Sequence, residues 1–344
     1  MNFSRLITNW YELNKRNLPW RITKNPYFIW ISEIILQQTR VNQGISYYHK
    51  FTFNYPTIGD LAAASEQRVL SDWQGLGYYQ RARNLHETAK KITTEFDGKF
   101  PEKFELIKSL KGIGDYTASA IASFAFDQPH AVVDGNVYRV LSRIFDINLS
   151  INTLEGIAYF KELAQTLINT KNPAIHNQAI MEFGSLICTP KNPTCDLCPL
   201  IEMCLSRQNK TIFIRPVKTI KTKVKKRYFT YFHFEDANSI VIQKRLAQDI
   251  WKNLFEFPLI ETDEPISFEG LSSQLQQMNL THPIQISKTI KHILSHQHIY
   301  TQFCEYKTIP DKLKSIFPNT EIIKKKDLYR YPIPRLIDRY LSEK

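Results

Sequence analysis

The fold of the amino-terminal half is decided by the stretch Leu110-Lys111-Gly112-Ile113-Gly114-Asp115-Tyr116-Thr117-Ala118. Its two glycines stand two positions apart and lead into a helix of small residues predicted over 117–126. Glycine lets the backbone approach a phosphate closely, and the amides at the start of a helix attract negative charge. Such a pair also occurs in plain turns. Between two helical segments of a basic chain it favours a helix-hairpin-helix motif (105–125) that binds the DNA backbone at Gly112 and Gly114.

Composition sets the broad class of the protein. The chain has 344 residues, of which 43% are apolar and 12% aromatic, which is enough for two domains with their own cores. Its formal net charge of +12 favours an anionic partner, such as nucleic acid, a membrane surface or an acidic protein. The first residues lack the apolar core of a signal peptide, and no run of about 18 apolar residues occurs. The sequence therefore predicts a soluble cytoplasmic protein without membrane contact.

The residue pattern divides the chain into three segments. Residues 1–206 are predicted to be all-α, because helical periodicity dominates and strand-like alternation is rare. Alternation at 228–234, 239–243 and 299–306, with a helix at 271–279, predicts an α+β domain over 228–344. Between them, 207–227 carries no acidic residue and is predicted to be an interdomain linker, either a solvated tether or a segment that lies along phosphates. Its basic residues are Arg207, Lys210, Arg215, Lys218, Lys221, Lys223, Lys225, Lys226 and Arg227.

Two carboxylates stand where acid–base chemistry could use them. Glu33 lies in a nearly all-apolar helix that begins after Asn25 with Pro26 at its first position. Desolvation there would raise its pKa and keep a proton available for donation, although a buried Glu bonded to a neighbouring helix is an equal alternative. Asp134 stands just before a helix, either as an ordinary N-cap or as an ionised carboxylate that stabilises a cationic sugar.

Four of the five cysteines fall within residues 188–204, in the order Cys188-x6-Cys195-x2-Cys198-x5-Cys204. Such local clustering points to a metal site and away from a secreted disulfide framework. Three prolines interrupt the segment, so a wrapping loop is expected. Zinc sites usually pair two C-x-x-C units, and only one is present. The spacing therefore favours a 4Fe-4S cluster over zinc.

Taken together, the hairpin, the carboxylate before its helix and the cysteine spacing resemble the iron-sulfur branch of the helix-hairpin-helix DNA glycosylases, the endonuclease III-like group. The resemblance extends over essentially the whole chain. Three further stretches are similar to the adenine-specific family of that branch. They are Leu18-Pro19-Trp20-Arg21, Ser32-Glu33-Ile34-Ile35-Leu36-Gln37-Gln38-Thr39 and Gly75-Leu76-Gly77-Tyr78-Tyr79-Gln80-Arg81-Ala82-Arg83-Asn84-Leu85.

This resemblance implies a monofunctional enzyme of base excision repair that prevents G:C to T:A transversions. It would hydrolyse the N-glycosidic bond of adenine mispaired with 8-oxoguanine or guanine in double-stranded DNA. The resemblance also implies a monomer with one 4Fe-4S cluster held by the four cysteines. The expected architecture is a six-helix module at about 26–135 and a cluster module made of 1–25 and 136–206, with the cluster loop at 188–204.

The resemblance assigns roles to individual residues. Glu33 is expected to protonate N7 of adenine and Asp134 to stabilise the oxocarbenium sugar, with Tyr116 and Asn136 holding both. Tyr116 stands where bifunctional members carry lysine, and tyrosine cannot form a Schiff base, so strong strand-cleaving activity is not expected. The adenine pocket is expected to comprise Leu18, Trp20, Arg21 and Gln178. The residues expected around the opposite base are Gln38, Thr39, Leu76 and Tyr78. Trp20 and Tyr78 could equally be core aromatics.

The second domain resembles the Nudix-like domain of the family, with Trp251-Lys252-Asn253-Leu254-Phe255-Glu256-Phe257-Pro258 at the corresponding place. It has no R-E-x-x-E-E box, so it lacks the carboxylates that hold Mg²⁺ for nucleotide hydrolysis and is expected to read DNA. The family's Phe-Ser-His recognition loop appears here as Leu294-Ser295-His296. We therefore expect Ser295 and His296 to recognise the lesion, although an isolated Ser-His pair would more often be a surface turn.

Three other functions would account for parts of the sequence. A bifunctional pyrimidine-damage glycosylase of the endonuclease III type would share the hairpin and the cysteines, but Tyr116 and the second domain argue against it. A non-catalytic iron-sulfur DNA-binding protein would need neither Glu33 nor Asp134. The missing box excludes a Nudix hydrolase.

Overall fold

The computed structural model describes residues 3–219 and 224–344. Lys221 and Lys223 of the predicted linker lie outside the described residues. The described chain forms two compact units, one made of residues 3–63 and 84–219 and the other of residues 64–83 and 224–344. None of the described helices is both long and apolar enough to cross a membrane.

The first unit is helical, which confirms the predicted all-α class. The helices up to residue 208 are α1 (Phe3–Asn14), α2 (Pro26–Ile35), α3 (Val41–Asn54), α4 (Ile58–Ala63), α5 (Glu66–Asp72), α6 (Gln80–Glu95), α7 (Phe104–Lys108), α8 (Asp115–Phe126), α9 (Gly135–Ile144), α10 (Leu154–Leu167), α11 (Pro173–Leu186) and α12 (Leu205–Gln208). Of these, α5 and the first turn of α6 belong to the second unit. The core of the first unit is built from α2, α8, α9 and α11, whose buried faces include Trp30, Ala120, Val140 and Phe183.

The predicted hairpin is the turn between α7 and α8. Gly112 has a φ of 79°, and a Cβ added to it would meet the Cβ of Asn84 at 2.7 Å. Both the backbone conformation and the close approach therefore require glycine at this position. Gly114 is the N-cap residue of α8 and supplies no side-chain cap, so the first amides of the helix remain available to an external acceptor.

The second unit contains two sheets, which confirms the predicted α+β class. Its strands are β1 (Lys225–Phe234), β2 (Ser239–Lys244), β3 (Phe255–Glu256), β4 (Leu259–Thr262), β5 (Gln285–Ile286), β6 (Ile290–Ile293), β7 (Gln297–Tyr306) and β8 (Thr320–Lys324). Its other helices are α13 (Phe268–Gln277), α14 (Leu313–Ile316) and α15 (Arg335–Ser342). In the larger sheet β1 lies between β4 and β7 and pairs in parallel with β7, while β5 and β6 pair antiparallel with β7. The smaller sheet has the order β3-β2-β8.

Aromatic residues cover both faces of the larger sheet. On one face, Phe232 and Phe234 pack with Leu271 of α13 in a fully apolar cluster. On the other face, the ring of Tyr340 in α15 stacks on Phe303 with centroids 3.7 Å apart. Burying each such ring removes a large apolar area from water and contributes on the order of 2 kcal/mol. This packing holds the β6–β7 hairpin on a rigid support.

Residues 64–83 do not follow the predicted domain boundary. The sequence places them within a catalytic domain of residues 1–206, but in the structure they pack with the carboxy-terminal segment. Tyr79 Oη donates a hydrogen bond to the carbonyl of Ile333 at 3.3 Å, and the amide of Ile333 donates to Gln74 Oε1 at 3.3 Å. These partners are remote in sequence, so a boundary drawn from local composition could not include them.

The predicted linker is likewise not a free tether at either of its described ends. Arg215 donates to Asp146 at 2.9 Å with both side chains largely buried, which fastens this part of 207–227 to the first unit. Arg227 lies within β1 and donates to Glu261 at 2.6 Å. The acidic partners of Arg215 and Arg227 come from distant segments, so the local sequence does not show them.

Candidate active site

Glu33 lies on the buried face of α2. The helix begins at Pro26 and is capped by Asn25, whose Oδ1 accepts a hydrogen bond from the amide of Tyr27 at 2.9 Å. Only 3% of Glu33 is exposed, and burial raises the pKa of its carboxyl, while the nearby charge of Arg21 acts in the opposite direction. The predicted desolvation of this carboxyl is confirmed. A group of this kind holds its proton toward neutral pH and can donate it.

Tyr116, at the start of α8, lies directly against this carboxyl. Its Oη donates to Oε2 of Glu33 at 2.8 Å. Burial raises the pKa of Tyr116 well above its ordinary value, and the charges of Glu33 and Asp134 raise it further. Glu33 is thus also a buried carboxyl bonded to a neighbouring helix, as the alternative interpretation predicted, because Tyr116 belongs to α8. The structure brings Glu33, Tyr116 and Asp134 into one electrostatic neighbourhood, in which Tyr116 stays neutral and orients Glu33.

Asp134 is the N-cap of α9, as the alternative interpretation has it. Its Oδ1 accepts from the amides of Asn136 and Val137 at 2.9 and 2.8 Å, and its Oδ2 accepts from the Asn136 side chain at 2.8 Å. Burial nevertheless raises the pKa of Asp134, although these hydrogen bonds oppose the shift. The position at a helix terminus, which predicts an ionised carboxylate, does not indicate this desolvation. The three donors hold the carboxylate in one orientation.

A cavity of about 700 Å³ in the first unit contains three of the four residues predicted for the adenine pocket. Leu18, Arg21 and Gln178 line it. Trp20 does not line it but is 3% exposed, with its ring edge-on to Tyr48 at a centroid distance of 5.4 Å. Within the described part of the chain, the buried Trp20 indole N–H has no hydrogen-bond partner. An unpaired buried donor of this kind is costly unless a ligand completes it.

Two predicted opposite-base residues follow α2 in the first unit. Gln38 is exposed and adopts a φ of 57°, while Thr39 is half-buried. A positive φ is unfavourable for a side chain such as glutamine and often marks a functional turn. This turn presents Gln38 to solvent.

The other two lie in the second unit, on the loop before α6. Tyr78 has a φ of 48° and is 45% exposed, whereas Leu76 is 8% exposed and points into the interior. The loop is held by Arg81, whose guanidinium donates to the carbonyl of Gly77 at 3.2 Å and lies 5.0 Å from the ring centroid of Trp73. Sequence reasoning missed the role of Arg81, although it stands within a quoted motif. The structure thus presents Tyr78 at the surface and buries Leu76.

Ser295 and His296 form the exposed tip between β6 and β7. The amide of Leu294 donates to the carbonyl of Gln297 at 2.9 Å and closes the turn, and the amide of Lys225 donates to the carbonyl of His296 at 3.0 Å. Ser295 Oγ lies 3.2 Å from Nδ1 of His296. The tip is therefore a surface turn, and its two polar side chains are fixed relative to each other.

Four of the five cysteines lie together in the loop after α11. Burial, with the charges of Cys188, Cys204 and Cys195, raises the pKa of Cys198 to about 12, so the four thiols lie close enough to influence one another. Buried thiols that lie close together remain protonated on their own. A bound metal ion would deprotonate them and use them as ligands. Among the described residues, no group of three or more His, Cys, Asp or Glu side chains is arranged to hold a metal ion. The fit to a cofactor therefore rests on the donor chemistry of the loop.

Two arginines of α9, which sequence reasoning missed, connect Asp134 with this loop. Arg139 donates to Oδ1 of Asn136 at 2.8 Å and to the carbonyl of Cys188 at 2.7 Å. Arg143 donates to the carbonyl of Thr189 at 2.7 Å and lies 3.5 Å from Sγ of Cys188. The available signal was a pair of arginines four positions apart on the apolar face of a helix.

Comparison with known families matches two parts of the chain. The family described as HhH-GPD superfamily base excision DNA repair protein matches residues 31–165. The family described as NUDIX domain matches residues 230–343. The second match covers the predicted α+β domain, for which the sequence lacks a hydrolase box.

Relatives with known names cover most of the chain. An adenine DNA glycosylase of Buchnera aphidicola subsp. Baizongia pistaciae is 39% identical over 305 residues, which is 87% of this chain and 84% of the relative. An adenine DNA glycosylase of Homo sapiens is 42% identical over 215 residues, 60% of this chain and 39% of the relative. Among solved structures, a thermostable thymine-DNA glycosylase is similar with a TM-score of 0.56 and 31% identity, over 60% of this chain and 95% of its own. An endonuclease III–DNA complex shares the fold, with a TM-score of 0.53 over 60% of this chain and 94% of its own, at 20% identity.

Proposed function

Because this chain belongs to the adenine DNA glycosylases, base excision repair enzymes that hydrolyse N-glycosyl bonds, we propose that its substrate is adenine mispaired with 8-oxoguanine or guanine in duplex DNA. The observation that carries the proposal is the buried Glu33 carboxyl, with its raised pKa, hydrogen-bonded to Tyr116 and close to the oriented carboxylate of Asp134. Extruding the adenine costs a few kcal/mol and is cheapest at a mispair, so the DNA itself contributes to selectivity.

Glu33 and Asp134 have complementary roles in this reaction. The proton of Glu33 passes to N7 of adenine as the bond between C1′ and N9 breaks, so the base leaves without negative charge. The ionised Asp134 stabilises the positive charge that develops on the sugar. Water then adds to C1′ and gives a proton to the Glu33 carboxylate, which restores the acid.

The products are free adenine and an abasic site in an intact strand. Strand cleavage by a lyase needs an amine that attacks C1′, and Tyr116 offers a phenol at the position where the bifunctional relatives carry that amine. Its Oη is committed to Glu33. We therefore propose that the enzyme is monofunctional.

One assay tests the substrate and the reaction type together. The protein is incubated with 8-oxoG:A, G:A, C:A and G:T duplexes under single-turnover conditions, and each sample is divided between alkaline and neutral treatment. We expect breaks at adenine opposite 8-oxoguanine or guanine, and only after alkali. The G:T duplex is included because a structurally similar protein is a thymine-DNA glycosylase. Release of thymine, or breaks without alkali, would contradict the proposal.

We also propose that the loop 188–204 holds one 4Fe-4S cluster through Cys188, Cys195, Cys198 and Cys204. Their mutual proximity and desolvation, and the arginine donors at the carbonyls of Cys188 and Thr189, support this. When bound, such a cluster supplies a covalent crosslink between four thiolates and fixes the loop. Arg139 then has a fixed carbonyl partner on one side and Asn136 on the other, which keeps the donors of Asp134 in place.

Elemental analysis of the purified protein tests the cofactor. We expect about four iron atoms per chain and a brown colour. Cys198→Ser is expected to lose the iron, whereas Cys304→Ser, which changes the buried cysteine of β7 outside the loop, is expected to retain it. One zinc atom per chain in place of iron would contradict the assignment.

The second unit is proposed to read the base opposite adenine. 8-Oxoguanine differs from guanine at one edge, where it has a carbonyl at C8 and a hydrogen on N7. A small hydroxyl can both donate and accept at such an edge. Ser295 offers that hydroxyl on an exposed, well-supported turn, and His296 beside it fixes the turn.

Replacing both tip residues by alanine is expected to reduce the preference for 8-oxoG:A over G:A. The loss should amount to about 1–3 kcal/mol, the usual discrimination of a base-edge contact. The measurement is the ratio of single-turnover rates on the two duplexes. Ser315→Ala, on the exposed side of α14, is the control and should leave the ratio unchanged. An unchanged ratio in Ser295→Ala with His296→Ala would contradict this role. The base opposite adenine would then have to be recognised by Gln38, Thr39 and Tyr78.

A further inference from the structure

Gln297, the residue after the recognition tip, is joined to Arg227 in the interior of the second unit. Only 6% of Gln297 is exposed, and its Oε1 accepts from the Arg227 guanidinium at 3.1 Å. Arg227 is itself held by Glu261 at 2.6 Å and by Asp249 at 2.7 Å. A guanidinium can only donate, so the atom of Gln297 that faces it must be the carbonyl oxygen. The orientation of the Gln297 amide is thereby determined by chemistry.

The other end of the same amide determines the tautomer of His296. Nε2 of Gln297 lies 2.8 Å from Nε2 of His296. An amide nitrogen only donates, so this imidazole nitrogen must accept and carries no hydrogen. The neutral ring then carries its hydrogen on Nδ1, which lies 3.2 Å from Oγ of Ser295 and donates to it.

This chain of hydrogen bonds decides what Ser295 presents to solvent. Its oxygen already accepts from His296, so its own O–H is free to point outward, beside the remaining lone pair. With the opposite tautomer, Ser295 would donate to Nδ1 and could offer only lone pairs. A hydroxyl that both donates and accepts matches two different base edges.

We propose that Gln297 is a specificity-determining positioning residue, which makes Ser295 tolerant of both guanine and 8-oxoguanine. This inference rests on the proposed role of Ser295 in reading the opposite base. Toward 8-oxoguanine the hydroxyl donates to O8 and accepts from N7–H. Toward guanine it donates to N7, which has no hydrogen. We call the hydrogen bonds that run from Gln297 through His296 to Ser295 the relay. The relay therefore allows G:A to be processed as well as 8-oxoG:A.

Gln297→Glu inverts the relay with little change of shape. A carboxylate keeps the partner of Arg227 but can only accept, so the neutral His296 must carry its hydrogen on Nε2 and accept from Ser295 at Nδ1. Ser295 then loses its contact with O8 but keeps the one with N7–H of 8-oxoguanine. Toward guanine it loses its only contact, and its lone pair faces the lone pair of N7. We expect the rate on G:A to fall more than the rate on 8-oxoG:A. The ratio between them should rise roughly tenfold, because a lone pair of Ser295 then opposes N7 of guanine but still accepts from N7–H of 8-oxoguanine, and effects at a base edge are of this order.

Two measurements on the full-length protein test this proposal. The ¹⁵N resonances of the His296 ring, identified by comparison with His296→Ala, are recorded in mildly alkaline buffer. We expect the hydrogen on Nδ1 in the wild type and on Nε2 in Gln297→Glu. Single-turnover rates on 8-oxoG:A and G:A are measured for the wild type, Gln297→Glu and Ser295→Ala. Gln302→Glu, which adds the same charge to β7 further from the tip, is the control and should leave both readouts unchanged.

The possible results distinguish a failure of the Gln297 inference from a failure of the proposed role of Ser295. A tautomer that does not change in Gln297→Glu overturns the relay. An unchanged rate ratio in that variant, while Ser295→Ala does shift the ratio, also overturns it. If neither Ser295→Ala nor Gln297→Glu shifts the ratio, Ser295 does not recognise the opposite base. The inference that Gln297 lets Ser295 accept both guanine and 8-oxoguanine then fails as well. A rise of the ratio with inversion of the tautomer supports both.

Discussion

Glu33→Gln is expected to abolish adenine release while mispaired DNA is still bound. The amide has nearly the same shape and can still accept from Tyr116, but it has no carboxyl proton to give to N7. General acid catalysis of this kind contributes up to roughly 10⁴-fold in rate. Single-turnover adenine release and equilibrium binding of the same duplex provide the two measurements. Glu95→Gln, on the surface of α6, makes the same chemical change away from the site and should behave as the wild type.

Protein stability distinguishes a lost acid from a lost fold. Because burial raises the pKa of Glu33, the carboxyl favours the folded state while it is protonated, and this contribution is lost as the pH rises through the raised pKa. Glutamine never acquires that buried charge. The variant should therefore melt at or above the wild-type temperature, with the difference growing on the alkaline side. Retained turnover, or an inactive variant that melts well below the wild type, would count against Glu33 as the acid.

Asp134→Asn is expected to slow adenine release by roughly 10³-fold, because it removes the negative charge placed to offset the developing sugar cation. Asparagine is as good an N-cap as aspartate, so α9 should remain stable. Its amide nitrogen would, however, face the Asn136 side-chain nitrogen, which now donates to Oδ2 at 2.8 Å. Asn136 cannot turn to relieve this repulsion without losing the donor Arg139.

A capping control isolates the charge of Asp134. Thr153 caps α10 by accepting from the amide of Gly156, and Thr153→Ala should cost about 1 kcal/mol of stability with little effect on the rate. The melting temperature and the single-turnover rate of both variants are compared. A near wild-type rate in Asp134→Asn would reduce Asp134 to a helix cap.

The features that the sequence predicted well are local ones. The glycine hairpin, the apolar helix around Glu33, the cap at Asp134 and the clustered cysteines all depend on residues within one or two turns of chain. Strand alternation predicted β1, β2 and β7 for the same reason. Such patterns can be predicted because a helix or a strand that is buried on one side repeats its apolar positions every few residues.

What the sequence could not reveal are contacts between distant segments. The acidic partners of Arg215 and Arg227 come from other parts of the chain, so their run appeared to be solvated charge. The raised pKa of Asp134 depends on burial by neighbouring helices, which its helix terminus does not indicate. The hydrogen bonds that orient Gln297 depend on a register between strands that no local pattern specifies.

The packing of residues 64–83 with the carboxy-terminal segment has a consequence for biosynthesis. The hydrogen bond between Tyr79 and Ile333 spans 254 residues, so it cannot form until Ile333 has left the ribosome. Contacts this distant form late and slow the search for the native state. Tyr79, which is buried in the folded protein, lacks this partner while the chain is being synthesised. A chain that stops before Ile333 would leave Tyr79 without this hydrogen-bond partner.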